Sequence, residues 1–152
     1  MNTCFKVADF FLKSQDPDAG DLMSNMKLQK LVYYAQGFYL AMVDTPLFNE
    51  RIEAWEHGPV CVDLYHKYKE YGAGYIPIPD VDVLNAFSKE ELEVLYMVHN
   101  YFGQFSAWKL RNLTHEDTPW LQAYRNERSN EITHEAMREY FKTQLVDDEE
   151  AK

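Results

Sequence analysis

The sequence lacks the features that mark secreted and membrane-spanning proteins. It has two cysteines, Cys4 and Cys61, in 152 residues, which excludes a disulfide-dense secreted scaffold and indicates a reducing compartment. No apolar run approaches the ~18 residues that a membrane span needs. The stretch from Met1 to Phe10 carries Lys6 and Asp9 within its apolar part, so no signal peptide is visible and a cytoplasmic location is expected.

Basic residues are also scarce. The chain has 15 lysines and arginines against 25 aspartates and glutamates, which gives a net charge of −10. Because neutralising a phosphate backbone requires a basic surface, this balance argues against nucleic acid as the main partner. The negative charge is compatible with a basic protein partner, although solubility alone is the simpler explanation for it.

Helical periodicity is what the chain has in abundance. Apolar residues at helical spacing follow capping residues in several places, most clearly after Ser24, where a helix over Asn25–Val43 is predicted. The pattern predicts a mainly α fold, a single compact domain over residues 1–152 with six or seven helices. At most a small β-hairpin is expected around residues 47–56, followed by a helix that opens at Gly58 and Pro59. An acidic, frayed tail is expected at residues 147–152.

Two lysines break a local rule at the start of the predicted helix over Asn25–Val43. Lys27 and Lys30 place cations at the positive end of the helix dipole, which costs roughly 0.3–1 kcal/mol each. A local rule broken without visible compensation marks a place where function is expected. We therefore assign both lysines to a partner-binding patch and expect the charge of Lys27 to be exposed.

The segment around Trp55 supplies the rest of that patch. Glu53, Trp55 and His57 alternate, so their side chains share one face of an extended chain. A tryptophan with charged neighbours has the composition of a binding hot spot. The alternative is purely structural, with Glu53 paired to Lys30 and Trp55 closing the core.

An enzyme is the competing hypothesis. Cys61 near the start of a helix, with His57 close in sequence, suggests a thiol nucleophile and its base, and His57 and His115 with Glu53 or Cys61 suggest one acid–base pocket. Against this, Cys61 fits a small buried hydrophobe better than a nucleophile, and a histidine such as His115 more commonly bonds to a backbone carbonyl and holds its loop. No ligand pair of metal spacing and no phosphate loop occurs, so we expect no catalytic residue, metal or cofactor.

Three segments resemble one known family. Residues 26–37, MKLQKLVYYAQG, are similar to the "KLQKLLYYAQ" helix of the SocA-like, GepA-associated antitoxin family, also called the Panacea domain. Residues 46–48, 53–55 and 57–60 resemble its "PLF…EAW..GPV" stretch. Ser106, Leu110, the pair Thr114-His115 and the pair Pro119-Trp120 resemble its "S…L…TH…PW" block. The resemblance extends from about Leu22 to Phe141.

The resemblance implies a mostly helical fold and an antitoxin that neutralises a cognate toxin by direct binding, and the family includes prophage-associated members. An adaptor that delivers a client to an ATP-dependent protease is a second function that the family implies. The family position of Cys61 is usually apolar, which weakens the thiol-enzyme hypothesis. Trp120, after Pro119, is expected to be buried. The family-motif residues with expected structural roles are Leu28, Leu31, Tyr33, Tyr34, Gly58, Pro59, Val60, Tyr65, Thr114, His115, Pro119 and Trp120.

Overall fold

A long central helix is surrounded by six other helices and a small sheet. The structure is a computed structural model that describes residues 2–150, with side chains as far as Leu145. The mainly α prediction is confirmed. The described residues form helices α1 (Cys4–Lys13), α2 (Asn25–Val43), α3 (Val62–Tyr68), α4 (Lys89–Phe102), α5 (Ala107–Thr114), α6 (Thr118–Tyr124) and α7 (His134–Glu150), and strands β1 (Ile52–Trp55), β2 (Gly58–Cys61) and β3 (Glu131–Ile132).

Short polar side chains fix where the helices begin. The Ser24 hydroxyl accepts a hydrogen bond from the backbone N–H of Lys27, which satisfies a free donor in the first turn of α2. Ser88 and Glu91 form a reciprocal capping box at the start of α4. These capping residues are visible in the sequence, and for that reason the helix starts were predictable.

Helix α2 is the core of the molecule and is buried on all sides. Helices α1, α4, α5 and α7 and strand β2 pack around it. Two glutamines on this helix are buried because they hold backbone groups of later segments. The Gln36 amide donates to the carbonyl of Phe48 (2.7 Å) and accepts from the N–H of Leu47 (2.8 Å), while Gln29 Oε1 accepts from the N–H of Cys61 (2.8 Å).

The hairpin lies further along the chain than residues 47–56. Strands β1 and β2 pair antiparallel, with Ile52 opposite Cys61 and Trp55 opposite Gly58, and β3 pairs with the other edge of β1. The expectation that a helix opens at Gly58 and Pro59 is wrong, because helix α3 begins only at Val62. Gly58 has a φ of 123°, which is incompatible with a helix and suits the tight turn between the two strands.

The acidic end of the chain falls mostly outside the described side chains. Helix α7 runs to Glu150, and the expected frayed tail at residues 147–152 therefore stays a prediction. Among the residues that the structure describes, no helix combines the length and the apolar composition that crossing a membrane requires.

Candidate functional site

A pocket lies where the start of α2 meets the β1–β2 turn and α3. Its volume is about 590 Å³. Three of the five predicted partner-binding residues, Lys30, Trp55 and His57, line it, although they come from two separate segments of the chain. The other lining residues include Asn25, Met26, Gln29, Glu56, Val60, Tyr65 and Lys69.

Lys30 is the unusual residue of this pocket. Its side chain is long and charged, yet only 2% of the residue is exposed. Across residues 2–145, no side chain or backbone group forms a hydrogen bond or ion pair with its ammonium group. Burial lowers the pKa of Lys30 to about 8, and the positive charge of Arg111 lowers it further in the same direction.

Trp55 forms the aromatic wall of the pocket. Its half-buried ring meets the Tyr65 ring edge to face, with 4.9 Å between ring centroids. The indole N–H donates to Glu53 Oε1 (3.0 Å), and Glu53 Oε2 lies 2.8 Å from Arg51 Nη2. Glu53 therefore pairs with Arg51 and not with Lys30, so the structural alternative of a Glu53–Lys30 pair is wrong.

His57 lies at the exposed rim, on the turn between β1 and β2. Its Nδ1 accepts a hydrogen bond from Arg111 Nε (3.1 Å). The Arg111 guanidinium in turn lies 4.6 Å from the centroid of the exposed Trp108 ring. Helix α5 thus extends the aromatic and cationic rim beyond the hairpin.

Lys27 does not belong to this pocket. Only 8% of the residue is exposed, and its ammonium donates to the carbonyl of Gly103 (2.6 Å) at the end of α4. Burial lowers the pKa of Lys27 as well. The expectation that the charge of Lys27 is exposed is therefore wrong. Lys27 is buried because the last carbonyls of α4 need donors, and a cation suits the negative end of that helix.

His115 holds the hairpin turn against α5. Its Nδ1 lies 2.7 Å from the carbonyl oxygen of Arg111, and its Nε2 lies 2.7 Å from the carbonyl oxygen of Glu56. Both partners are backbone carbonyl oxygens, so His115 is bonded to the backbone, as the alternative interpretation of this residue expected. Cys61 is buried at the end of β2, and the neighbouring Cys4 has a raised pKa because the two thiols are hydrogen-bonded and buried. Neither the Cys4 thiol nor the Cys61 thiol is accessible to solvent.

The family-motif residues build the frame of the pocket. Leu28, Leu31, Tyr33 and Tyr34 of α2 are buried in the core. Trp120 is 4% exposed, as expected, and its indole N–H donates to the carbonyl of Trp55 (2.9 Å). The remaining motif residues are the buried Gly58, Pro59, Val60, Thr114 and Pro119 and the half-buried Tyr65 and His115.

A second buried polar residue, Asp117, was not predicted from the sequence. Asp117 is only 6% exposed and accepts hydrogen bonds from the hydroxyls of Tyr33 (3.2 Å) and Tyr140 (2.8 Å). Burial raises the pKa of Asp117 to about 7, although the two hydroxyls act in the opposite direction. It lines a second pocket of about 530 Å³ with Tyr34, Phe38, Glu116 and other residues. No sequence signal separates Asp117 from the neighbouring Glu116, which is exposed.

In the described part of the chain, no group of three or more histidine, cysteine, aspartate or glutamate side chains converges as a metal site would.

Comparisons with known proteins agree with the resemblance carried by these segments. The family described as "Antitoxin SocA-like, Panacea domain" matches residues 28–121. The chain is 36% identical over 76 residues to "Antitoxin SocA" of Caulobacter vibrioides (strain NA1000 / CB15N), a match that covers 50% of this chain and 37% of that protein. The matched region thus spans little more than a third of the relative's length. No solved structure matches significantly. Because the family match covers more than half of its residues, this chain belongs to the SocA-like Panacea antitoxin family.

Proposed function

We propose that the chain is an antitoxin that neutralises a cognate toxin by direct protein–protein binding. The binding face is the Lys30 pocket with its rim of Trp55, His57 and Arg111. One observation carries the proposal: a buried lysine without a partner lines a pocket walled by aromatic side chains. Tryptophan, tyrosine and arginine are the residues that contribute most to binding at protein interfaces.

The binding face is held rigidly before any partner arrives. Cys61 at the end of β2 is bound to Gln29, Glu56 in the turn to His115, and Trp55 at the end of β1 to Trp120. A surface that is already ordered loses little conformational entropy on binding, so more of the contact energy contributes to affinity.

The net charge and the two free thiols support a basic toxin as the partner and the cytoplasm as the place where the two proteins bind. A charge of −10 accelerates association with a basic toxin, because long-range attraction steers oppositely charged proteins together. Cys4 and Cys61 are both free. Free thiols in a small protein are typical of a reducing compartment, and we place the interaction in the cytoplasm.

The first test is neutralisation in cells. The protein from the neighbouring reading frame is expressed alone and together with this chain, and growth is measured. Growth arrest that this chain relieves, with a complex that co-purifies, is the expected result. A neighbouring protein that is harmless alone, or that does not bind this chain, would contradict an antitoxin role.

The second test locates the surface. Trp55→Ala should weaken toxin binding about 30-fold or more, as is usual for a central interface tryptophan. His57→Ala and His66→Ala form a matched pair, since both histidines are exposed but only His57 lines the pocket. We expect weaker binding for His57→Ala and unchanged binding for His66→Ala. Equal affinities for the two variants and for Trp55→Ala would place the interface elsewhere.

A further inference from the structure

We infer that the Lys30 pocket is a carboxylate-binding subsite, filled by an acidic side chain of the toxin that this chain neutralises. The inference rests on the proposed function for the source of the carboxylate. The chemistry of the site does not depend on the proposed function, because it follows from the surroundings of Lys30.

The first argument is the missing counter-charge. A buried ammonium group is costly unless it is paired and hydrogen-bonded, and a lysine offers three donors. Lys30 is 2% exposed, and none of the described groups accepts a hydrogen bond from it. The nearby Gln29 does not compensate, because its amide is already engaged with Cys61 and Asn25. Among the described residues, the fully enclosed side-chain polar atoms without a partner are His99 Nδ1 and Arg138 Nε, so Lys30 Nζ is not sealed off, and an acceptor from outside the chain can reach it through the pocket.

The second argument is the sign of the local charge. The whole chain carries a net charge of −10, but the pocket is lined by Lys30 and Lys69 against a single acidic residue, Glu56. Arg111 adds a further positive charge behind His57 and acts on Lys30 from there. This pocket is thus a basic spot on an acidic protein, and its field favours an anion.

The third argument is the shape of the pocket. The rings of Trp55 and Tyr65 and the side chain of Val60 form apolar walls of the pocket that Lys30 also lines. Such walls suit the methylene stem of a glutamate or aspartate, while the carboxylate reaches Lys30. A single buried ammonium matches the charge of one carboxylate, whereas a phosphate dianion would need a second buried cation, and Lys69, the other lysine of the pocket, is exposed. Gly58 leaves room for the lysine, since a Cβ at position 58 would lie 3.1 Å from Lys30 Cε.

The chemistry of the site can be tested without the toxin. Propionate, which reproduces the end of a glutamate side chain, is titrated into the full chain at constant ionic strength set with sodium chloride. The pKa of Lys30 is followed by NMR of its labelled Cε and Nζ atoms. Propionate should raise this pKa by about 1 unit or more, because a neighbouring carboxylate favours the charged form. Propionamide, the uncharged analogue, should leave it unchanged.

Two results would overturn the assignment. A Lys30 pKa that responds to propionate no more than to sodium chloride would show that no carboxylate binds. A larger response to inorganic phosphate than to propionate would show that the site prefers a phosphate group. The Trp55 indole resonance of the wild type should also shift when propionate binds. Lys30→Met provides the control, because in that variant the Trp55 indole resonance should no longer respond to propionate.

The source of the carboxylate is tested with the toxin. Lys30→Met should reduce toxin affinity about 30-fold or more while the protein melts at the same temperature or higher, because an unpaired buried charge has been removed. Lys69→Met, at the exposed rim, should change affinity less than about threefold. A Lys30→Met variant that binds toxin as the wild type does would overturn the toxin assignment. A wild type that neutralises no toxin would refute the proposed function and that assignment together, whereas the propionate titration would still decide the carboxylate site.

Discussion

Lys27 and Lys30 lie three residues apart on one helix but differ in whether the ammonium group has a hydrogen-bond acceptor. Both are buried, and burial lowers the pKa of each. Lys27 donates to the carbonyl of Gly103, whereas Lys30 has no acceptor in the described part of the chain. The sequence indicates that both cations are unfavourable near a helix start. It cannot show which is compensated, because the compensating carbonyl of Gly103 lies 76 residues away in the chain.

Lys27 should be a stability residue. Lys27→Glu places a buried carboxylate beside the carbonyl of Gly103, and we expect it to lower the free energy of unfolding by about 3–5 kcal/mol. Lys27→Met, which loses the hydrogen bond without adding a charge, should lower it by about 1–3 kcal/mol. Urea denaturation measures both changes. Lys109→Glu, at an exposed position, should stay within about 0.5 kcal/mol, and a Lys27→Glu variant of equal stability would contradict the buried position.

At the scale of elements, the helices were predictable from the sequence, whereas the hairpin was predicted to exist but not at its actual position. The bounds of α2 follow from Ser24 and from apolar spacing, which are local signals. Gly58 and Pro59 were misassigned because proline suits both the first turn of a helix and a short strand. The strand is selected by its pairing with β1 and by the hydrogen bond that the Cys61 N–H donates to Gln29 Oε1, and both are tertiary contacts. No local pattern contains them.

The contact between α2 and α7 depends on one glycine. A Cβ at Gly37 would lie 2.1 Å from a ring carbon of Phe141, closer than atoms can approach. Glycine to alanine inside a helix usually stabilises a protein by up to about 1 kcal/mol. Here we expect the opposite sign, a loss of about 1–3 kcal/mol, since Phe141 must move from a packed position.

Gly37→Ala is best measured by thermal and urea unfolding beside a compensating double variant. Phe141→Leu makes space at the same contact, so Gly37→Ala should cost less in the Phe141→Leu background than in the wild type. Equal costs in both backgrounds would show that the ring of Phe141 is not what the new methyl group meets.

At the scale of the whole molecule, residues of one of the two polar pockets were predicted from the sequence, and the buried carboxyl group of the other was not. Lys30, Trp55 and His57 were grouped from composition and alternation, and they meet in one pocket. Asp117 was not found, because its burial depends on Tyr33 and Tyr140 from two distant helices. Among the described residues, the molecule therefore has a buried cation at one pocket and a buried carboxyl group at another. Groups kept for function are often local sources of instability.

These two groups should give the stability a characteristic pH dependence. Asp117 keeps its proton up to a pKa of about 7 in the folded state, whereas an unfolded aspartate loses it near the ordinary value of 3.8. The folded state thus binds more protons between about pH 4 and 7, and stability falls as the pH rises through this window. Lys30 acts oppositely, because its folded pKa of about 8 lies below the ordinary 10.5, so stability rises between about pH 8 and 10.5.

The variants Asp117→Asn and Lys30→Met separate the two effects from all other titrations. Asp117→Asn should match the wild type near pH 4 and become relatively more stable towards pH 7, by at most about 1.4 kcal/mol per pH unit. Lys30→Met should be relatively more stable at pH 7 and should lose that advantage progressively between about pH 8 and 10.5, as the folded wild type becomes neutral at Lys30 before the unfolded chain does. Urea unfolding from pH 4 to 10 gives the difference curves. A flat difference for Asp117→Asn across pH 4–7 would mean that the buried carboxyl is ionised throughout, held by the hydroxyls of Tyr33 and Tyr140.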